Sequence, residues 1–389
     1  LLLLWLVGIN LRTVTLGVPP TLPTLHHAIP LSYAAAGLLS SLPVFLMALG
    51  AIPGAYLISR VGNRQAVAIG LAMVTVGAAL RAVTPAAGTL FLFTILLGLG
   101  IAVSQPALPG LAQTWLPSSV GRAVAVYSNG LLIGEIVAAS ITLPWLLVPF
   151  GWQLALAAWA VPCALLLALW IMAAPPAGRG PGKSVAWLPD WRSGSMLRIG
   201  LLMGMASVLY YGMNTWVPDT LDARRSHQLI APALATLNGM QLPVSVLLAL
   251  YGQRLVGRRW PYLTAAVGSV VAVLGYALMP AATAPIWTGI IGAASALAFI
   301  MTLGLPTLLD PSEVARASGF MFTIGYGTAF VGPAVGGILW DLSGQANGQY
   351  GVALVPMGVA ALAMLGLGIT LPQTFARQRA QPGTSAAAP

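Results

Sequence analysis

The chain has 389 residues, of which 58% are hydrophobic and only 6% charged, against about 25% charged in a typical soluble domain. Lys and Arg outnumber Asp and Glu by 17 to 7, but the basic residues fall in short gaps between apolar runs, where they set membrane topology rather than hold nucleic acid. The single cysteine, Cys163, excludes a disulfide framework and a Cys-based metal site.

The first apolar run covers about 1–24 and carries Asn10-Leu11-Arg12 before Gly17-Val18-Pro19-Pro20. The chain starts at Leu1 rather than Met, so the natural start is expected upstream. No small-residue cleavage site follows the run, which reads as a membrane helix and not a cleaved signal. Arg12 sits well inside it. A guanidinium at the centre of a membrane helix costs roughly 2.5–3.5 kcal/mol on insertion scales, and it cannot shed its proton to escape that cost. Such a residue is expected to face a polar cavity and something negative.

Further runs of spanning length follow at about 34–58, 66–84, 88–112, 122–148 and 153–174. A second set lies at about 197–218, 230–252, 262–281, 285–308, 317–340 and 350–371. Between the sets, 175–195 is rich in Pro, Gly and charge and reads as a linker. The expected fold is an all-α membrane protein of twelve transmembrane helices in two six-helix bundles. These are 1–174 and 196–371, with a tail at 372–389.

Placing the N-terminus in the cytoplasm puts thirteen basic residues on that side: Arg60, Arg64, Arg122, Arg179, Lys183, Arg192, Arg198, Arg254, Arg258, Arg259, Arg316, Arg377 and Arg379. Three, Arg81, Arg224 and Arg225, fall outside. This asymmetry predicts a multi-pass inner-membrane protein with both ends cytoplasmic. His26, His27 and His227 then read as solvated residues of outer loops.

The two sets also repeat each other. Val18-Pro19-Pro20-Thr21-Leu22 recurs as Val217-Pro218-Asp219-Thr220-Leu221, shifted by 199. Leu42-Pro43-Val44 recurs as Leu242-Pro243-Val244, and Leu108-Pro109 as Leu305-Pro306. Parallel six-helix repeats suit two bundles that rock about a site between them. Under this repeat Arg12 corresponds to Tyr211, so an arginine and a tyrosine hydroxyl are expected opposite each other across a cavity.

Six helices, a loop and six more resemble the major facilitator superfamily. Asn10-Leu11-Arg12, Ala36-Gly37-Leu38-Leu39-Ser40-Ser41-Leu42-Pro43-Val44, Leu80-Arg81, Gly151-Trp152 and Ser207…Tyr211…Trp216-Val217-Pro218 resemble its cyanate and nitroimidazole transporter family. The resemblance implies a secondary active transporter that works by alternating access. The cargo would be a small anionic or polar solute, cyanate-like or a small carboxylate, with protons as a coupling ion. It also implies a gate loop between the second and third helices. Here that loop keeps Arg60, Gly62 and Arg64 but carries Ser59 where the superfamily has an acid, which weakens the usual charge lock. In the fifth helix Gly134-Glu135 replaces Gly-Pro, which disfavours an antiporter.

Arg12 leads the candidate substrate-binding residues, since its planar fork of donors suits an anion. A structural pairing with Glu135 is the alternative. Glu135 reads as a proton-coupling group or a counter-ion to Arg12, with a protonated carboxyl hydrogen-bonded to a neighbouring helix as the alternative. Tyr211 and Asn214 share a helix face. Asn10, Tyr127, Gln105, Asn238, Gln241, Phe299 and Tyr326 are further polar or aromatic residues within spans. No cofactor is expected. The expected partners are the solute, protons and the lipid bilayer, with the chain acting as a monomer.

An efflux pump of the same fold, with a wider apolar cavity, is the competing reading, which Arg12 disfavours. A membrane-embedded enzyme would need a His or acid cluster within the bilayer, and the histidines read as loop residues. The topology is testable in intact cells with a membrane-impermeant thiol reagent. A cysteine at Ser184 should stay protected and one at Ser226 should react; the reverse pattern overturns the orientation.

Overall fold

A computed structural model describes residues 1–81, 83, 85–176, 194–255, 258–305, 311–343 and 349–371. The expected linker, apart from its ends, and the expected tail lie outside the described residues.

The first half contains α1 (Leu2–Leu16), α2 (Leu22–Ala28), α3 (Tyr33–Val61), α4 (Asn63–Leu80), α5 (Ala87–Trp115), α6 (Val120–Ile141), α7 (Val148–Ala158) and α8 (Ala160–Ala173). The second contains α9 (Gly194–Ala223), α10 (Ile230–Gly239), α11 (Gln241–Leu255), α12 (Trp260–Leu278), α13 (Ala284–Leu303), α14 (Pro311–Ala329), α15 (Val331–Leu342) and α16 (Val355–Ile369). Most of these elements are apolar on nearly every face, as lipid-facing spans must be.

Eleven helical stretches among the described residues are long and apolar enough to cross a membrane, and one of them, Val126–Ala173, has 48 residues. A straight helix of that length would be about 72 Å long, more than twice the roughly 30 Å hydrocarbon core. It is broken at Gly151, whose φ of 75° and ψ of 171° lie outside helical geometry and favour a residue without Cβ. The stretch therefore supplies two crossings, which makes twelve. A π-helical turn over Thr142–Leu147 precedes the break.

The halves pack by the same plan. In the first, α1 lies on α6, α4 on α5, and α4 on α8; in the second, α9 lies on α14, α12 on α13, and α12 on α16. Helix-end capping contacts repeat too. Arg64, at the start of α4, donates from Nε to the Ala174 carbonyl (3.0 Å) just past α8. Arg259, 195 residues later, donates from Nε to the Leu371 carbonyl (2.9 Å) past α16. Arginine at a helix C-terminus satisfies an orphan carbonyl and complements the macrodipole.

Arg81 and Tyr276 are another pair 195 apart. Arg81 is fully buried and donates from Nη2 to the Val14 carbonyl (3.0 Å) near the end of α1. Tyr276 donates to the Val217 carbonyl (3.4 Å) in α9. Arg81 is thus not the solvated loop charge its place in the sequence suggests. It holds the end of the helix that carries Arg12.

The approach of α1 to α6 depends on small residues. Gly130 and Gly134 are one helical turn apart on α6 and face Trp5, Ile9 and Arg12. A Cβ on Gly134 would meet the Arg12 Cβ at 3.0 Å. Such small-residue faces let membrane helices approach closely. Trp5 adds a bond from Nε1 to the Asn129 side chain (3.0 Å).

Replacing Gly134 with Leu should push α1 away and destabilise the protein by roughly 1–3 kcal/mol, as overpacking does. Thermal melting of the purified protein measures this. A melting temperature equal to wild type would contradict the close-approach account.

Candidate functional site

Contacts between the halves run from the level of Arg12 to the end that carries His26, Tyr33, Asp219 and Asp341. Arg12, on α1, and Tyr211, on α9, are 199 residues apart and bond directly, Nη1 donating to the tyrosine hydroxyl. Residues equivalent under a pseudo-twofold can touch only near its axis. This pair therefore marks the centre of the molecule between the two halves, where transporters of parallel repeats hold their cargo.

Glu135, on α6, completes the charge. Its Oε1 lies 3.4 Å from Arg12 Nε, and its Oε2 accepts from Gln241 Nε2 at 3.1 Å. Arg12 is 8% and Glu135 4% exposed, so both ions are largely withdrawn from water. The Arg12 Nε makes no hydrogen bond of its own. Gln241 opens α11 directly after the break at Gly239–Met240, so a helix interruption sits at the level of the ion pair. The repeat positions of Glu135 and Gln241 do not carry a matching pair: shifts of 194 and 200 lead to Ala329 and Ser41. The site is asymmetric although the fold is not.

Tyr326 on α14 lies near Arg12, Tyr211 and Tyr127, so aromatic residues from both halves surround the guanidinium. Tyr326 stacks on Phe322 at 5.8 Å, and Tyr210 meets the Tyr211 ring edge-on at 5.0 Å.

Other candidates are engaged elsewhere. Tyr210 donates to Asn238 Oδ1 (2.6 Å), and Asn238 donates to Asn214 Oδ1 (3.0 Å). Asn214 donates back to the Tyr210 carbonyl (3.0 Å). This closed ring fastens α9 to α10 and engages the amides of Asn214 and Asn238. Asn10 points to another face, donating to the Leu6 carbonyl (2.8 Å) and accepting from the Cys163 thiol (3.4 Å). Gln105 on α5 and Phe299 on α13 are half-buried, and among the described residues neither bonds to the Arg12 cluster. In the gate loop, Gly62 makes the α3–α4 turn with φ 83°. Arg60 lies over the Tyr56 ring at 5.2 Å, and Arg64 serves α8 within its own half.

Three acids outside the candidate set, and His26, lie at the closed end. Asp341, at the end of α15, accepts from the Tyr33 and Ala34 backbone N–H groups (3.0 and 2.8 Å), capping α3 from the opposite half. The Tyr33 ring stacks on Trp340 at 4.3 Å. His26 is not a solvated loop residue: its side chain is 13% exposed and its Nε2 lies 3.5 Å from Asp219 Oδ2. Asp222 pairs with His227 at 2.7 Å. A chain with seven acids signals each one near a span as costly, and that signal was available for Asp219 and Asp341.

Comparison with known proteins agrees with this geometry. A sequence model of the Major Facilitator Superfamily matches residues 2–333. The chain belongs to the Major Facilitator Superfamily. Within it, the chain is 30% identical over 369 residues to the 2-nitroimidazole transporter of Escherichia coli (strain K12), covering 92% of this chain and 91% of that one. It is 26% identical to the cyanate transport protein CynX of the same organism, over 97% of this chain and all of the other. A crystal structure of a D-xylose-proton symporter superposes with a TM-score of 0.77 at 15% identity, covering 96% and 97% of the two chains. As a member of the superfamily, this chain is a multi-pass membrane protein and a secondary transporter rather than an enzyme.

Proposed function

We propose that the protein takes up a small anionic or strongly polar solute together with a proton, binding both at the Arg12–Glu135–Tyr211 cluster. The carrying observation is that one buried guanidinium is shared between a carboxylate from its own half and a phenol from the other. An anion arriving at Arg12 competes with Glu135. Protonating Glu135 removes the competitor and frees Arg12. Both end states then hold the same buried charge: Arg12 with ionised Glu135, or Arg12 with the anion and a neutral Glu135. A state with an unpaired buried ion is strongly disfavoured. Solute and proton therefore bind together, which is the requirement for symport.

The Tyr211 hydroxyl and the Gln241 amide remain as neutral partners for an acceptor on the solute. The relatives' named cargoes fit this class. Cyanate is a small anion, and 2-nitroimidazole carries a nitro group whose oxygens accept hydrogen bonds. The excess of basic residues on one side supports an orientation with both chain ends in the cytoplasm of an inner membrane and the Asp341 end outside. The protein works as a monomer, each chain holding a complete site.

The test is direct binding of cyanate and small carboxylates to purified protein, first by thermal shift. A ligand at 100 times its Kd stabilises by about 2.7 kcal/mol. Replacing Arg12 with Lys or Ala should weaken binding about 10- to 150-fold, as for loss of a charge-assisted hydrogen bond. Tyr211→Phe should cost about 0.5–1.5 kcal/mol. Glu135→Gln imitates the protonated carboxyl: its anion affinity should be independent of pH, and proton-driven accumulation should be abolished. Equal affinity in wild type and Arg12→Ala overturns the anion site. Undiminished proton-driven accumulation by Glu135→Gln overturns the coupling.

A further inference from the structure

The geometry points to a second proton-binding site, the His26–Asp219 pair, that latches the Asp341 end shut when it holds its proton. His26 belongs to α2 in the first half and Asp219 to α9 in the second, so their contact exists only while this end is closed. The two ring nitrogens of His26 have different neighbours. Nδ1 lies 2.8 Å from the Leu31 carbonyl oxygen. A carbonyl can only accept, so Nδ1 carries a proton. Nε2 lies 3.5 Å from Asp219 Oδ2. With Nδ1 protonated, a neutral ring would turn the Nε2 lone pair toward a carboxylate oxygen, which is repulsive. The contact becomes attractive when one more proton sits between them, on Nε2 or on the carboxyl. Closure therefore takes up a proton.

The neighbouring titratable groups do not relieve this need. His26 and Asp219 are faced by His27 on α2, Asp222 on α9, Tyr33 on α3 and Asp341 on α15. Asp341 is committed to the two N–H groups that open α3, and Asp222 to His227. The Tyr33 ring packs against the imidazole at 4.3 Å, with further ring contacts to Trp340 and Trp216. Asp219 is 4% exposed, so water does not easily replace a missing partner. When the halves part, both groups are hydrated and the proton is released to the medium.

This site is separate from Glu135. Its protonation sets how long the outer end stays closed, so acid outside the cell favours closure and alkalinity favours opening.

The test reads the closed fraction of that end with the full chain in lipid nanodiscs. Spin labels are placed at Ala28→Cys and Gln228→Cys, both exposed and on opposite halves, and distances are measured between pH 5.5 and 8.5. The closed-to-open ratio should fall with rising pH, by at most about tenfold per unit, the limit for one linked proton. His26→Gln should abolish that dependence. Asp219→Asn should also abolish it, because the amide donates to the Nε2 lone pair and closes the end without a proton. Glu135→Gln should leave it in place, which separates this latch from the coupling at the central site. A pH dependence that survives both His26→Gln and Asp219→Asn overturns the proposal, as does a wild-type ratio that does not change with pH.

Discussion

One guanidinium in the middle of the membrane governs the arrangement of this protein. Arg12 cannot be neutralised by losing its proton, and at 8% exposure it cannot rely on water. Its charge must be met by groups on other helices, and each demand constrains the packing. Glu135 meets it from α6, so α1 and α6 must lie close, which Gly130 and Gly134 permit. Tyr211 meets it from α9, so the halves must touch at the pseudo-twofold. Gln241 holds the second Glu135 oxygen, which ties α11 to the same point.

The fold departs from its own symmetry where chemistry requires it. Helix-end caps recur faithfully: Arg64 and Arg259 do the same work in the two halves, and Arg81 and Tyr276 do comparable work with different chemistry. These contacts hold each bundle together as it moves. The carboxylate and its amide partner, by contrast, occur once. The closed end relies on contacts of another kind, a carboxylate on a helix N-terminus and stacked rings.

Much of this was legible in the sequence. Run lengths place the spans within a few residues, because a bilayer allows little variation in helix length. The 199-residue shift pairs Arg12 with Tyr211 before any coordinates are seen. Arg12 and Glu135 stand out because ionisable residues in a span are costly and so must be used. Other features were hidden. Asn214 and Asn238 look like cavity residues on helix faces, yet each closes on the other, and a one-dimensional pattern does not show which amides satisfy one another. Arg81 and His26 sit at span ends, where hydropathy places residues in loops. Their burial depends on how neighbouring helices end, which is a tertiary property. Asp219 was visible as the acid in the repeat of Val18-Pro19-Pro20, but its partner lies in the other half.

The central claim is that solute and proton share one charge balance at Arg12. Proton uptake on ligand binding tests it most directly. Purified protein in weakly buffered solution near pH 8 is mixed with a saturating small anion that stabilises it, cyanate or a carboxylate, and the pH change is recorded. The account predicts uptake of close to one proton per anion bound by the wild type and none by Glu135→Gln. Anion binding by the wild type without proton uptake would contradict it.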